Sequence, residues 1–356
     1  MNRASLLTAV FAPLALLLAA GFLWAGPLDP PVGPVTGTYK TLNEVEPRTA
    51  INATNTPGDA DSLFRITAPG SYYLTGNVVG VSGKAGIEVI ASDVTIDLMG
   101  FELRGIAGSL EGIRADSNVF GVAIRNGAIR NWGLSGIDLV RSFIGIGCLI
   151  EGIQAASNGG DGIHASTDGI VRHCSTSSNA GNGIVTDIRC IVSQCVANSN
   201  TSSGISVDAG CAVSECVTAG NTGHGILASD ACRVEACTSS NNTLDGIRAQ
   251  SDSRIVGNTC DGNGFGAGSG AGIFVLGGSD TRVEGNNCTD ADFGIRVTSG
   301  GNVIVRNTCS GNTSNWNVSS GNVALVILAA TSGNTINGDA GGTAPGSTDP
   351  NANFTY

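Results

Sequence analysis

Gly204-Ile205-Ser206-Val207-Asp208-Ala209-Gly210-Cys211-Ala212-Val213-Ser214-Glu215-Cys216-Val217-Thr218-Ala219-Gly220-Asn221-Thr222-Gly223-His224 is a unit of twenty-one residues, and the next unit opens again on Gly225-Ile226. Within it Ile205/Val207 and Cys211/Val213 each show the period-two alternation of a half-buried strand. Asp208-Ala209-Gly210 separates the two pairs as a turn does. Outward from this unit, Gly-Ile recurs at Gly86, Gly112, Gly136, Gly162, Gly183, Gly204, Gly225, Gly246, Gly272 and Gly294, with four successive intervals of 21 in the middle. Other columns keep the same step: Cys190/Cys211/Cys232, Cys174/Cys195/Cys216/Cys237, and Asn158/Asn179/Asn200/Asn221/Asn242. A period near 21 without helical patterning is that of one turn of a parallel solenoid. In-register stacking puts each side chain about 4.8 Å from its equivalent in the next coil, so identical residues form ladders. Asn is expected to close each coil, because it tolerates left-handed backbone and its amide can bond to the Asn above and below.

These residues resemble the right-handed parallel β-helix proteins of the pectate-lyase-like superfamily, whose short repeat runs Gly-Ile, strand, turn, apolar strand and corner Asn. The resemblance covers about Ser62 to Asn337. Ala68-Pro69-Gly70-Ser71-Tyr72-Tyr73-Leu74 followed by Val94-Thr95-Ile96-Asp97-Leu98-Met99-Gly100-Phe101 looks like that superfamily's first coils, with Met99 where an Asn is usual. The implied fold is all-β: a single-stranded right-handed parallel β-helix (β-solenoid) of about ten coils of 21–26 residues. The scaffold alone does not choose between lyases, hydrolases, epimerases, adhesins and inert surface proteins.

The chain divides into an apolar leader at 1–25 that reads as a secretory signal, a Pro-rich linker at 26–38, the β-helix with its N-terminal cap at 39–337, and a tail or cap at 338–356. An uncleaved anchor is the rival reading of the leader, which Pro13 and Gly21 weaken. No transmembrane span is expected in the mature chain, which is taken to be secreted or held in the cell envelope or periplasm as a monomer. With 18 Lys and Arg against 29 Asp and Glu the formal charge is −11. This argues against nucleic acid, and against a polyanionic sugar unless a metal or a local arginine cluster intervenes. The eleven cysteines are read as mostly unpaired small hydrophobes, since stacked in-register side chains suit packing better than disulfide torsions. Zinc is not supported by their spacing.

Candidate chemistry gathers two residues after each repeat Gly, in the column Glu88, Arg114, Asp138, His164, Val185, Ser206, Leu227, Arg248, Phe274 and Arg296. These side chains are expected to face outward. In the resembling family this strand face and its flanking loops commonly carry the substrate groove. Arg114, Asp138 and His164 are the catalytic candidates, with Arg114 on a carboxylate and His164 or Asp138 as base. Glu88, Trp132 and Asp161 are the candidates for substrate binding. The plainer reading is a charge ladder that keeps an exposed face soluble. Gly223-His224-Gly225 is similar to the Gly-His-Gly of polygalacturonase-type hydrolases, but the repeat accounts for both glycines and the paired aspartates are missing. Asp187, Asp208, Asp230 and Asp252 fall at similar turn positions, so calcium stays open, though Asp is also a good turn residue. No cofactor is expected otherwise. Scarce aromatics and two lysines favour an exported solenoid that binds or displays and is associated with carbohydrate. A polysaccharide lyase or uronate epimerase is the alternative.

Overall fold

The computed structural model describes residues 46–115, 119–140, 147–264, 268–324, 326–328, 336–338 and 351–355. The leader, the linker and most of the tail lie outside them. The chain divides into two compact units, Met1–Pro47 and Arg48–Tyr356, and the solenoid is the second. Among the described residues no helix is long and apolar enough to cross a membrane.

Each regular coil has three short strands, as in Ile184–Thr186, Ile191–Ser193 and Val196–Asn198. Every strand pairs in parallel with its equivalent in the neighbouring coils. The Gly-Ile strands form a first face of thirteen strands, from Ser62–Ile66 to Ile336–Gly338. The expected ten coils are therefore thirteen, because the outer three do not carry the Gly-Ile pair. Leu63-Phe64 aligns with Gly86-Ile87, and Asn315-Trp316 with Gly294-Ile295. Of the tail, Asn353–Thr355 forms a strand that pairs with Thr308–Ser310 and Val326–Leu328.

The core follows from strand alternation. On the first face ten isoleucines, Ile87 to Ile295, stack coil upon coil with no exposed surface. Ile150, Val171, Val192, Val213, Val234 and Ile255 do the same on the second face. The third face is lined by smaller side chains, Thr176, Ala197, Thr218, Ser239, Cys260, Cys288 and Cys309. All eleven cysteines are buried and unpaired. The repeat glycine is a matter of space, not of backbone angle. A Cβ on Gly162 would lie 2.6 Å from the Gly183 carbonyl oxygen and 2.8 Å from the Asn179 amide nitrogen.

Three corners turn the chain, each through one left-handed residue. Arg189 (φ 60°), Gln194 (φ 54°) and Ser199 (φ 55°) occupy them in one coil. The expectation that Asn takes the left-handed angle is corrected, since the residue before it does so: Ser178, Ser199, Gly220 and Asn241 precede Asn179, Asn200, Asn221 and Asn242. The Asn itself points inward. Asn179 Nδ2 donates to Asn200 Oδ1 (2.9 Å), and the Asn179 backbone N–H donates to the same oxygen (3.1 Å). The contact repeats from Asn158 through Asn263. The second corner holds Cys174 to Cys237 and then continues as Asn258, Asn286, Asn307 and Asn353, with Cys237 N–H donating to Asn258 Oδ1. Thiols thus occupy the inward corner positions that asparagine fills elsewhere. At the first corner a sulfur takes over the acceptor role, with Cys190 N–H donating to Cys211 Sγ (3.1 Å).

Candidate functional site

Strand pairing sets the outward column of the first face in the expected order. Glu88 lies opposite Arg114, Arg114 opposite Asp138, and Asp138 opposite His164. The expected outward exposure fails at its N-terminal end, where Glu88 and Arg114 are each only 2% exposed. Arg114 Nη2 lies 2.7 Å from Glu88 Oε1 and 2.7 Å from Asp61 Oδ2, and Arg65 Nε lies 2.9 Å from Glu88 Oε2. Burial works against the Arg114 charge, but the hydrogen bonds to Asp61 and Glu88 outweigh it and hold the guanidinium above its ordinary value. Strand alternation places both side chains outside the barrel wall, and a network of charges then encloses them. Removing one partner from so buried a network leaves an uncompensated charge.

The column opens at Asp138 and His164. His164 Nδ1 is 3.8 Å from Asp138 Oδ1, and His164 Nε2 is 4.0 Å from Asp187 Oδ1, all three groups being partly exposed. Asp138 Oδ1 is anchored by the Val140 N–H (3.1 Å). Burial raises Asp187 above the usual carboxylate value, and Asp208 and Asp138 push the same way while His164 opposes them. An imidazole between two carboxylates, one inclined to keep its proton, is an acid–base arrangement within reach of solvent.

Four coil steps along, roughly 19 Å at strand spacing, the same column carries Arg248, Phe274 and Arg296. The Phe274 ring is stacked by both guanidiniums, with Arg296 Cζ 4.6 Å and Arg248 Cζ 5.1 Å from its centroid. Arg296 also lies over Phe293 at 5.2 Å. Arg248 Nη1 is 3.8 Å from Asp245 Oδ2, itself 3.2 Å from His224 Nδ1. The ring itself is only 6% exposed, so it is the two partly exposed guanidiniums that form the local arginine cluster the net charge called for as an exception. The three residues stand in the sequence column, and the signal that distinguishes them is Arg-Phe-Arg on successive coils beside the insertion between Gly246 and Gly272.

The other candidates are structural in their contacts. Trp132 is 1% exposed, fills the space that Gly86 and Gly112 leave, and donates from Nε1 to the Leu103 carbonyl (3.1 Å). Asp161 Oδ1 accepts the Asn182 N–H (2.6 Å) in a ladder before each Gly-Ile. That ladder passes through Asn182, Ser203 and His224, whose Nδ1 accepts the Asp245 N–H (3.2 Å). The four turn aspartates do not share a column. Asp187 and Asp208 align, Asp230 bonds through Oδ1 to the Ser251 N–H, and Asp252 takes the left-handed corner. Among the described residues Asp59, Asp61 and Glu88 bring three oxygens together, but Arg65 and Arg114 already pair with them.

Residues 208–354 match the family model described as the right handed beta helix region. The chain is a right-handed parallel β-helix protein. Among solved structures it is similar to the Dettilon tailspike protein (gp208), at TM-score 0.51 and 18% identity, over 83% of this chain and 60% of that one. It therefore spans less than two thirds of that tailspike's length. It is also similar to the A-module of Azotobacter vinelandii mannuronan C-5 epimerase AlgE6, at TM-score 0.51 and 16% identity, over 81% of this chain and 90% of that one. A double mutant of the periplasmic alginate epimerase AlgG aligns at TM-score 0.53 and 11% identity, over 89% and 82%. No curated protein matches the chain. Identities this low speak for the fold alone.

Proposed function

We propose that the chain is exported and binds an acidic polysaccharide along the first face, acting as a solenoid of the cell envelope or exterior. The observation that carries this is the Arg248–Phe274–Arg296 platform, two cations and a ring side by side in a protein of net charge −11. Guanidiniums pair with carboxylates in a forked geometry, and the buried Phe274 ring between them holds the two in place. The apolar leader supports export and the low Lys content fits a partner other than nucleic acid. Titration calorimetry of uronate and neutral polymers against the chain lacking residues 1–25 tests it. Uronate binding should weaken at least tenfold in the Arg248→Ala/Arg296→Ala double variant. Retained binding in that variant, or a preference for neutral glycans, overturns the reading.

The Asp138–His164–Asp187 cluster favours a second reading, turnover of the same polymer by a lyase or epimerase reaction. New ultraviolet absorbance from unsaturated ends, or solvent deuterium entering the polymer, would be its product signature. Both should vanish in His164→Ala. Absence of both signals across the uronates, with and without calcium, leaves the binding role alone.

A further inference from the structure

Away from the first face, a groove of about 560 Å³ runs over the second corner and the third face near the N-terminal end of the stack. Small-molecule sites span roughly 300–1,000 Å³, so it is of that size. Strand pairing puts Asn77, Glu102, Ala128 and Gln154 in one outward column on successive coils, a run of three strand spacings or about 14 Å. The groove exists because side chains are missing where other coils have them. At the corner Gly100 (φ 79°) and Gly152 (φ 64°) are left-handed glycines, and a Cβ on Gly100 would meet nothing within 4 Å. His173, Gln194 and Glu215 bring side chains to the same corner in the coils that follow. Ala128 keeps the floor low between Glu102 and Gln154.

The polar groups of the wall decide which guest fits. Among the described residues neither Glu102 nor Arg130 forms an ion pair, although both line the groove. Asn77 Oδ1 accepts the Glu102 N–H (2.9 Å), so the Asn77 amide nitrogen is an unused donor. Gln154 Oε1 accepts from Arg130 Nη2 (2.8 Å), so Gln154 Nε2 is another. Asn126 donates to Asp97 Oδ1 (3.3 Å), which leaves its own Oδ1 as an acceptor, and the Glu102 carboxylate adds two more. A carboxylate or phosphate guest brings acceptors only and an ammonium donors only, whereas a hydroxyl is both. A carboxylate would also meet Glu102, and the side-on fork of Arg130 is closed to it, because Nε is buried and Nη2 is held by Gln154. Arg104 stands beside Arg130 in its column but is not part of the wall. We infer that this groove binds a neutral, hydroxyl-rich saccharide through hydrogen bonds. The groove is open and no aromatic ring lines it, so little apolar surface is dehydrated and affinity should be of roughly millimolar order, below that for uronate on the first face. The site lies on another face from the Arg248–Phe274–Arg296 platform and does not rest on the reading of that face.

The experiment is saturation-transfer NMR on the full chain with maltohexaose, cellohexaose and mannohexaose, each alone and with hexagalacturonate added. At least one neutral hexasaccharide should bind, and hexagalacturonate should not displace it. Glu102→Ala and Gln154→Ala should each weaken that binding at least about threefold. Ala128→Tyr, which raises the floor, should abolish it. Thr238→Tyr adds the same ring at an exposed position further along the same outward column and should leave it unchanged. Should Ala128→Tyr fail to fold, as circular dichroism would show, the Glu102 and Gln154 variants decide alone. Absence of binding by all three neutral sugars, displacement by hexagalacturonate, or equal losses in Ala128→Tyr and Thr238→Tyr overturns the proposal. None of these outcomes bears on uronate binding at the platform, which the Arg248→Ala/Arg296→Ala variant tests by itself.

Discussion

At the residue scale the solenoid is held by side chains that serve their neighbours' backbones. Asn200 shows the economy of the device. Its Oδ1 accepts from the Asn179 N–H and the Asn179 amide, while its Nδ2 donates to Asn221 Oδ1 (3.0 Å). Truncation to alanine would leave the Asn179 N–H without its acceptor inside a dry core. Each orphaned buried group costs roughly 1–3 kcal/mol, so Asn200→Ala should lower unfolding free energy by about 2–4 kcal/mol. Thr201→Ala next to it, on an exposed side chain, should stay within about 0.5 kcal/mol. Urea unfolding curves of the two variants measure the contrast. Equal effects would mean that the ladder contributes little.

At the scale of the element, the corners carry the strain and the strands carry the packing. The second-corner left-handed position runs Asn126, Gly152, His173, Gln194, Glu215, Ala236, Gly257, Gly285 and Arg306, so only three of the nine are glycine. A left-handed residue with a Cβ costs about 1–2 kcal/mol, partly offset by the greater chain entropy that glycine loses on folding. Ala236→Gly should therefore raise stability by up to about 1 kcal/mol, and Ala236→Val should lower it. Thermal unfolding of the pair checks the sign. The inner residue of each corner was legible as a column, whereas the left-handed residue was not. Its position accepts His, Gln, Glu, Ala and Gly alike, because its side chain points into solvent and only its backbone is constrained. The same asymmetry explains the first face. Alternation tells which side of the wall Glu88 and Arg114 occupy, and their pairing order could be read off the repeat. It cannot tell what lies over that side, and Asp61, from two coils before, closes on Arg114 there. Trp132 misled for the opposite reason: a loop indole beside a charged column reads as a sugar platform until the glycines of neighbouring coils are seen to receive it.

For the whole molecule, the decisive property is that each coil pairs its strands only with the coils beside it, so stability accumulates along one dimension. The end coils escaped the sequence count because Leu63 and Asn315 replace the glycine there. The interior is interchangeable, which makes a strong test available. Deleting residues 204–224 joins Ser203 to Gly225-Ile226, the same junction that Ser203 makes with Gly204-Ile205. Every ladder then re-forms one step short, Asn200 donating to Asn242 in place of Asn221. The shortened chain should fold with an unchanged strand signature in circular dichroism, and small-angle scattering should find it shorter by about 4.8 Å. Deleting ten residues from the same place breaks every register at once and should yield an unfolded or aggregated product. The one-coil deletion also brings the His164 cluster one step nearer the Arg248–Phe274–Arg296 platform and keeps every residue of both, exchanging only their neighbours Asp208 and His224 for Ser229 and Ser203. A polymer that engages both patches together would bind the shortened solenoid with altered affinity, and a ligand held by the platform alone would not distinguish the two proteins.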